Sequence, residues 1–204
     1  MRFVAEGLAA LRGERVVFRN VSFEVTPGQA LVLHGPNGSG KTTLLRILAG
    51  LLSIMGGRLR LLDNEGNLLL DESRDRALHF VGDQDMVRPQ LRVREMLRFQ
   101  ASLLGARAKA VDTALDTWGL APLADISGGL LSAGQRRRLS LARLSLQARK
   151  VWLLDEPVVA LDGPSRVRLN TACNKHLAAG GLIVAASHEP FLAGTRTLHL
   201  GPSS

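Results

Sequence analysis

The eight residues Gly35-Pro36-Asn37-Gly38-Ser39-Gly40-Lys41-Thr42 constrain this chain more than any other feature. They follow Ala30–His34, a short apolar run of the kind that forms a buried strand. They precede Thr42–Leu51, where apolar residues recur at helical spacing. A strand, a Gly-rich turn and a helix in that order fit G-x-x-x-x-G-K-[ST]. The glycines let successive backbone N–H groups curl onto an anion, and the helix start aims its positive end at the same point. Lys41 adds a point charge for β- and γ-phosphate oxygens, Thr42 offers a hydroxyl to Mg²⁺, and Thr43 continues the same cradle. The segment reads as a nucleotide site.

A second constellation supports that reading. Val151-Trp152-Leu153-Leu154 is apolar and ends in Asp155-Glu156. A parallel strand delivers its last residues to the sheet edge where ligands bind. Asp155 is expected to reach Mg²⁺ directly or through water, and Glu156 to orient or deprotonate the attacking water. Neighbouring strand side chains point to opposite faces, so the two carboxylates have different roles.

The remaining pattern is α/β. Phe3–Val25 reads as two or three short strands with a turn at Arg12-Gly13-Glu14. Gly57–Leu62 and Leu68–Leu70 read as strands around a turn at 63–67, and Leu78–Val81 as a buried strand. Val93–Leu120, Ala133–Leu146 and Val167–Leu177 carry helical periodicity, whereas Leu182–Ala186 resembles a parallel-sheet interior. The expectation is a mainly parallel core sheet, N-terminal antiparallel strands and a helical insertion.

No apolar run approaches the roughly 18–20 residues that span a bilayer. The N-terminal stretch lacks a basic segment and a small-residue cleavage site, so a cytosolic location is expected. One cysteine, Cys173, cannot form an internal disulfide and reads as a small buried residue. The formal charge of +8 suggests a polyanionic partner, but it is dispersed apart from Arg136-Arg137-Arg138. Aromatic content of 4% argues against a base-stacking platform for single-stranded nucleic acid.

Leu131-Ser132-Ala133-Gly134-Gln135 narrows the reading, because it resembles the LSGGQ signature of the ABC ATPases, with Ala133 in place of the first glycine. The resemblance covers about Phe3 to Leu200. It implies a P-loop NTPase fold: one ABC-type domain over 1–204, with a helical subdomain at approximately 85–145. It also implies that Ser132, Ala133, Gly134 and Gln135 contact the γ-phosphate held by a second copy. Gln84 is similar to the Q-loop glutamine, a metal and catalytic candidate, and Ala160-Leu161-Asp162 to the D-loop. His188, after the Leu182–Ala186 strand, resembles the switch histidine that contacts the γ-phosphate. Arg12 occupies the place where many members stack an aromatic on adenine; its guanidinium stacks on the base or is solvated.

The family resemblance implies ATP and Mg²⁺ as cofactors, a head-to-tail homodimer, and integral membrane permease subunits as partners. It places the chain peripherally on the cytoplasmic face of the inner membrane. Local features resemble the ATP-binding subunits of cytochrome c maturation (heme exporter) systems: LSAGQ, the short Gly82-Asp83-Gln84 arm, Ser187-His188-Glu189-Pro190 and Arg12. The alternatives are an ATPase subunit for a lipid, drug or nutrient transporter and, more remotely, a soluble nucleic-acid-associated ABC ATPase. Nucleic acid is not an expected partner, since the tandem cassettes or long coiled-coil insertion usual in that class are missing.

Overall fold

The structure, a computed structural model, describes residues 1–13, 15–85 and 87–201, without the side chains of Arg12 and Asp71. In chain order the elements are β1 (Arg2–Arg12), β2 (Arg15–Val25), β3 (Ala30–His34), α1 (Lys41–Leu48), β4 (Gly56–Leu62), α2 (Asp71–Ala77) and β5 (Leu78–Val81). Then follow α3 (Val93–Leu103), α4 (Lys109–Thr117), α5 (Ala133–Ala142), β6 (Val151–Asp155), α6 (Gly163–Ala178), β7 (Leu182–Ala186) and β8 (Arg196–His199). The chain divides into two compact units.

The first unit comprises Met1–Phe80, Arg149–Glu156 and the chain from Cys173 onward. It holds two sheets. One is three-stranded in the order β2-β1-β4, with both pairings antiparallel. β2 buries Phe18, Val21, Phe23 and Val25 and exposes the polar residues between them, the alternation of a sheet with one covered face. The other sheet has the order β5-β6-β7-β3-β8, and β6 with β7, β7 with β3, and β3 with β8 are parallel. Every residue of β6 and β7 is buried, and apart from Asp155 at the end of β6 these strands are continuous apolar runs. Phe3, Leu8, Leu33, Leu44, Leu45, Leu48, Leu153 and Val184 share one core cluster. Each such side chain contributes roughly 1.5–3 kcal/mol on burial.

The second unit comprises Val81–Ala148 and Pro157–Ala172. α3 buries Val93, Met96, Leu97 and Ala101, α4 buries Val111, Ala114 and Leu115, and these positions recur at helical spacing. Trp118 is fully buried and its Nε1–H donates to Ser145 Oγ at 2.9 Å, so the indole's one polar atom is satisfied.

Three expectations need correction. Leu68–Leu70 is not a strand: only Leu68 makes an isolated bridge, to Leu62. The turn before it is closed on Asp63, whose carboxylate accepts from Asn67 N at 2.8 Å and from Asn67 Nδ2 at 3.0 Å. Three residues then remain before α2 starts, and Leu68 and Leu70 stay exposed. The helical stretch from Val93 is two helices, separated by Gly105 at φ 66°. The stretch from Ala133 leaves α-helical geometry at Ala142 and tightens into a 3₁₀ turn over Arg143–Ser145.

Candidate functional site

Parallel strands that end level with one another deliver their following residues to one edge of a sheet. Leu33 of β3 and Asp155 of β6 both stand opposite Ala186 of β7. The Gly35–Lys41 loop, Glu156 and Ser187-His188 therefore leave from the same edge. Glu156 N donates to Ala186 O at 2.8 Å, after which the backbone turns left-handed, with Glu156 at φ 47°. That conformation costs a non-glycine residue about 1 kcal/mol or more and marks a constrained position. The turn presents the carboxylate to His188: Oε1 lies 3.5 Å from Nε2, and Oε2 accepts from His188 N at 3.4 Å.

The loop is built on glycines in backbone conformations that other residues rarely adopt. Gly35, Gly38 and Gly40 have φ of 152°, 83° and 95°. A Cβ on Gly35 would lie 2.3 Å from Leu200 O, and one on Gly40 would lie 2.5 Å from Val17 Cγ1. Pro36, Asn37 and Gly38 are exposed at the loop's crest. Lys41 opens α1, is 8% exposed, and its Nζ donates to Gly35 O at 2.7 Å and Pro36 O at 3.1 Å. The ammonium thus folds back over the loop it follows. Ser39 Oγ is buried and makes no hydrogen bond among the described residues. A left-handed Gly-rich turn, a helix N-terminus, a buried ammonium and an unsatisfied hydroxyl together suit a polyphosphate.

Thr42 and Thr43 are half-buried in the first turn of α1, and Asp155 is 1% exposed at the end of β6. No group of three or more His, Cys, Asp or Glu that could by itself hold a metal ion occurs among the described residues. Mg²⁺ needs none, because one or two carboxylates, substrate phosphates and water complete its shell. A threonine hydroxyl and one buried carboxylate therefore fit Mg²⁺ in the presence of a nucleotide. The Arg12 side chain lies outside the described residues.

Gln84 and the Ser132–Gln135 loop belong to the second unit. Gln84 is exposed, three residues past the end of β5. Ser132 caps α5: its Oγ accepts from Gln135 N at 3.3 Å, while Gln135 Oε1 accepts from Ser132 N at 2.8 Å. This closed capping box sets the direction in which the helix start points. Ser132 and Ala133 are exposed on it. Gly134 is not free to vary, because a Cβ there would lie 2.7 Å from Ala160 O. Ala160 is itself left-handed, at φ 61°. Asp162 Oδ1 accepts from Ser165 N at 2.9 Å and caps α6, and hydrogen bonding from Ser165 holds its carboxyl below the usual range.

The ABC transporter family model matches residues 18–159, well over half of the chain. The chain belongs to the ABC transporter family. It is similar to the cytochrome c biogenesis ATP-binding export protein CcmA of Paramagnetospirillum magneticum, at 47% identity over 97% of this chain and 93% of that protein. It is similar to the CcmA of Rhodopseudomonas palustris strain HaA2, at 41% identity over the whole of both chains. Among solved structures it resembles an ABC transporter ATP-binding protein from Pyrococcus furiosus, with a TM-score of 0.82, 26% identity and 98% of each chain covered. It is an ABC transporter ATP-binding protein of the CcmA-like group.

Membership of the ABC transporter family gives the Ala133 departure from LSGGQ a physical setting. Position 133 is exposed and tolerates a methyl group, whereas position 134 faces a carbonyl and does not. The left-handed backbones of Glu156 and Ala160 could not be read from the sequence, since neither residue type favours that conformation. The arginine run is also absorbed locally. Arg136 Nη1 donates to Leu131 O at 2.8 Å, and Arg138 Nη1 to Gly119 O at 2.9 Å and Trp118 O at 3.2 Å.

Proposed function

We propose that this chain is the ATP-hydrolysing subunit of a membrane complex serving cytochrome c biogenesis, acting as a dimer of two copies. The observation that carries the catalytic part is the Glu156–His188 pair, 3.5 Å apart, on the same sheet edge as the phosphate loop. In this reading the backbone N–H groups of the 35–42 loop other than Pro36, which has none, bind the β- and γ-phosphates together with Lys41 and Thr43. Glu156 orients the attacking water and takes its proton as the water oxygen bonds to the γ-phosphorus and the bond to ADP breaks. His188, held by Glu156, contacts the γ-phosphate. Thr42 and Asp155 would hold Mg²⁺, with Gln84 a further candidate, and the ion supplies charge neutralisation at the phosphate oxygens when bound. Ser132, Ala133, Gly134 and Gln135, at the positive end of α5, serve the γ-phosphate of the second copy.

The cargo rests on the relatives, whose names specify cytochrome c biogenesis and whose lengths this chain matches. We assign heme handling, driven through permease subunits of the inner membrane, on that basis. Peripheral attachment at the cytoplasmic face belongs to the same proposal; among the described residues no helix is long and apolar enough to cross a membrane. The test is a heme stain for c-type cytochromes in a deletion strain complemented with wild type or Glu156→Gln. Loss of cytochromes restored by wild type alone is expected; undiminished cytochromes in the deletion would remove the cargo assignment.

A further inference from the structure

Arg136-Arg137-Arg138 is the densest basic cluster in the sequence, yet its middle member is 3% exposed. A guanidinium leaves water without heavy penalty only where acceptors take up its donors. Arg137 Nη1 donates to Gly82 O at 2.7 Å and to Asp85 Oδ1 at 3.3 Å. Gly82 and Asp85 bracket Gln84, while Arg137 stands on α5 two residues past the Ser132–Gln135 capping box. All of these residues belong to the second unit.

We infer that Arg137 is a positioning residue that latches the 82–85 segment to α5, fixing Gln84 relative to the helix that Ser132 begins. A backbone carbonyl and a carboxylate on either side of Gln84 are held by one rigid, branched cation. Lysine would offer a compact charge on a flexible stem and only part of that restraint. The segment lies just past the end of β5 and is exposed at Asp83 and Gln84. The kinetic consequence of the latch rests on the proposed ATPase function, whereas the latch itself does not.

The test uses the full chain with Arg137→Met, Arg137→Lys and Asp85→Asn, read by amide hydrogen exchange and by steady-state ATP hydrolysis. In Arg137→Met, exchange across 82–85 should rise about tenfold or more while α5 amides stay protected. Its kcat should fall about tenfold, with KM for ATP within about twofold, because the phosphate loop is untouched. Asp85→Asn should move both readouts in the same direction by about threefold, and the double variant should be no worse than Arg137→Met alone. Arg137→Lys should fall between wild type and Arg137→Met. Unchanged exchange at 82–85 in a folded Arg137→Met protein overturns the latch. Should that variant fail to fold, unchanged exchange and kcat in Asp85→Asn overturn it equally. Turnover absent from wild type would count against the ATPase function, and the exchange measurement would still decide the latch.

Discussion

Single side chains carry the nucleotide chemistry and part of the stability. Lys41 is the one cation that both opens α1 and lies over the phosphate loop, donating to two of its carbonyls. Lys41→Ala should weaken ATP binding about 100-fold, or roughly 2.7 kcal/mol, as read by isothermal titration. Binding within about threefold of wild type would show that the loop's backbone suffices. His176 lies away from this chemistry, stacked on Trp152 at 4.0 Å between ring centroids. Its Nε2 faces Leu182 O at 3.2 Å, so Nε2 carries the proton of the neutral ring. Burial pushes its pKa down to about 4 from 6.5. A lowered pKa on a base means that the unfolded chain takes up the proton first. The stability due to the neutral ring is therefore complete above pH 6.5 and lost as pH falls towards 4. His176→Phe should flatten that part of the stability–pH curve in denaturant titrations, and an unchanged slope would contradict the assignment. Cys173, also in this unit, is fully buried with its thiol pushed up to about 12, which leaves it a packing residue.

At the scale of elements, the start of α5 is fixed by a capping box and by the approach of Ala160 O to Gly134. Gly134→Ala should cost about 1–3 kcal/mol in thermal or denaturant unfolding, because the carbonyl must shift. Ala133→Gly, at an exposed position, should change stability by less than about 1 kcal/mol. Equal effects at the two positions would contradict the packing account. Elements built from apolar runs, such as β3, β6 and β7, were legible in the sequence because burial on both faces confines polar residues to the strand ends, at His34 and Asp155. So was the phosphate loop, since its glycines are required by left-handed backbone at Gly35, Gly38 and Gly40. β8 was harder to read: Arg196, Thr197 and His199 are exposed, and its strand conformation comes from pairing with β3, not from pattern. α2 is a polar heptapeptide, with Glu72–Arg76 as an i,i+4 ion pair, too short to show periodicity. The inward turn of Arg137 escaped the sequence for a different reason. A charged residue inside a charged run reads as solvated, and its acceptors lie more than fifty positions away.

At the scale of the whole molecule, the proposed function requires two copies to complete one another's sites. Glu156, His188 and Lys41 belong to one unit and the Ser132–Gln135 loop to the other, and Ser132 and Ala133 are exposed at a helix N-terminus. The proposed dimer gives that helix end an anion, the γ-phosphate held by the second copy. In that proposal, closing two copies over ATP requires the nucleotide to survive, which removing the carboxylate proposed to activate water should allow. The most direct test is sedimentation velocity of Glu156→Gln with and without Mg-ATP, alongside a hydrolysis assay. The account predicts a monomer without nucleotide, a dimer with ATP, and turnover reduced about 100-fold or more. A monomer at every protein concentration with ATP bound, or hydrolysis at the wild-type rate, would contradict it.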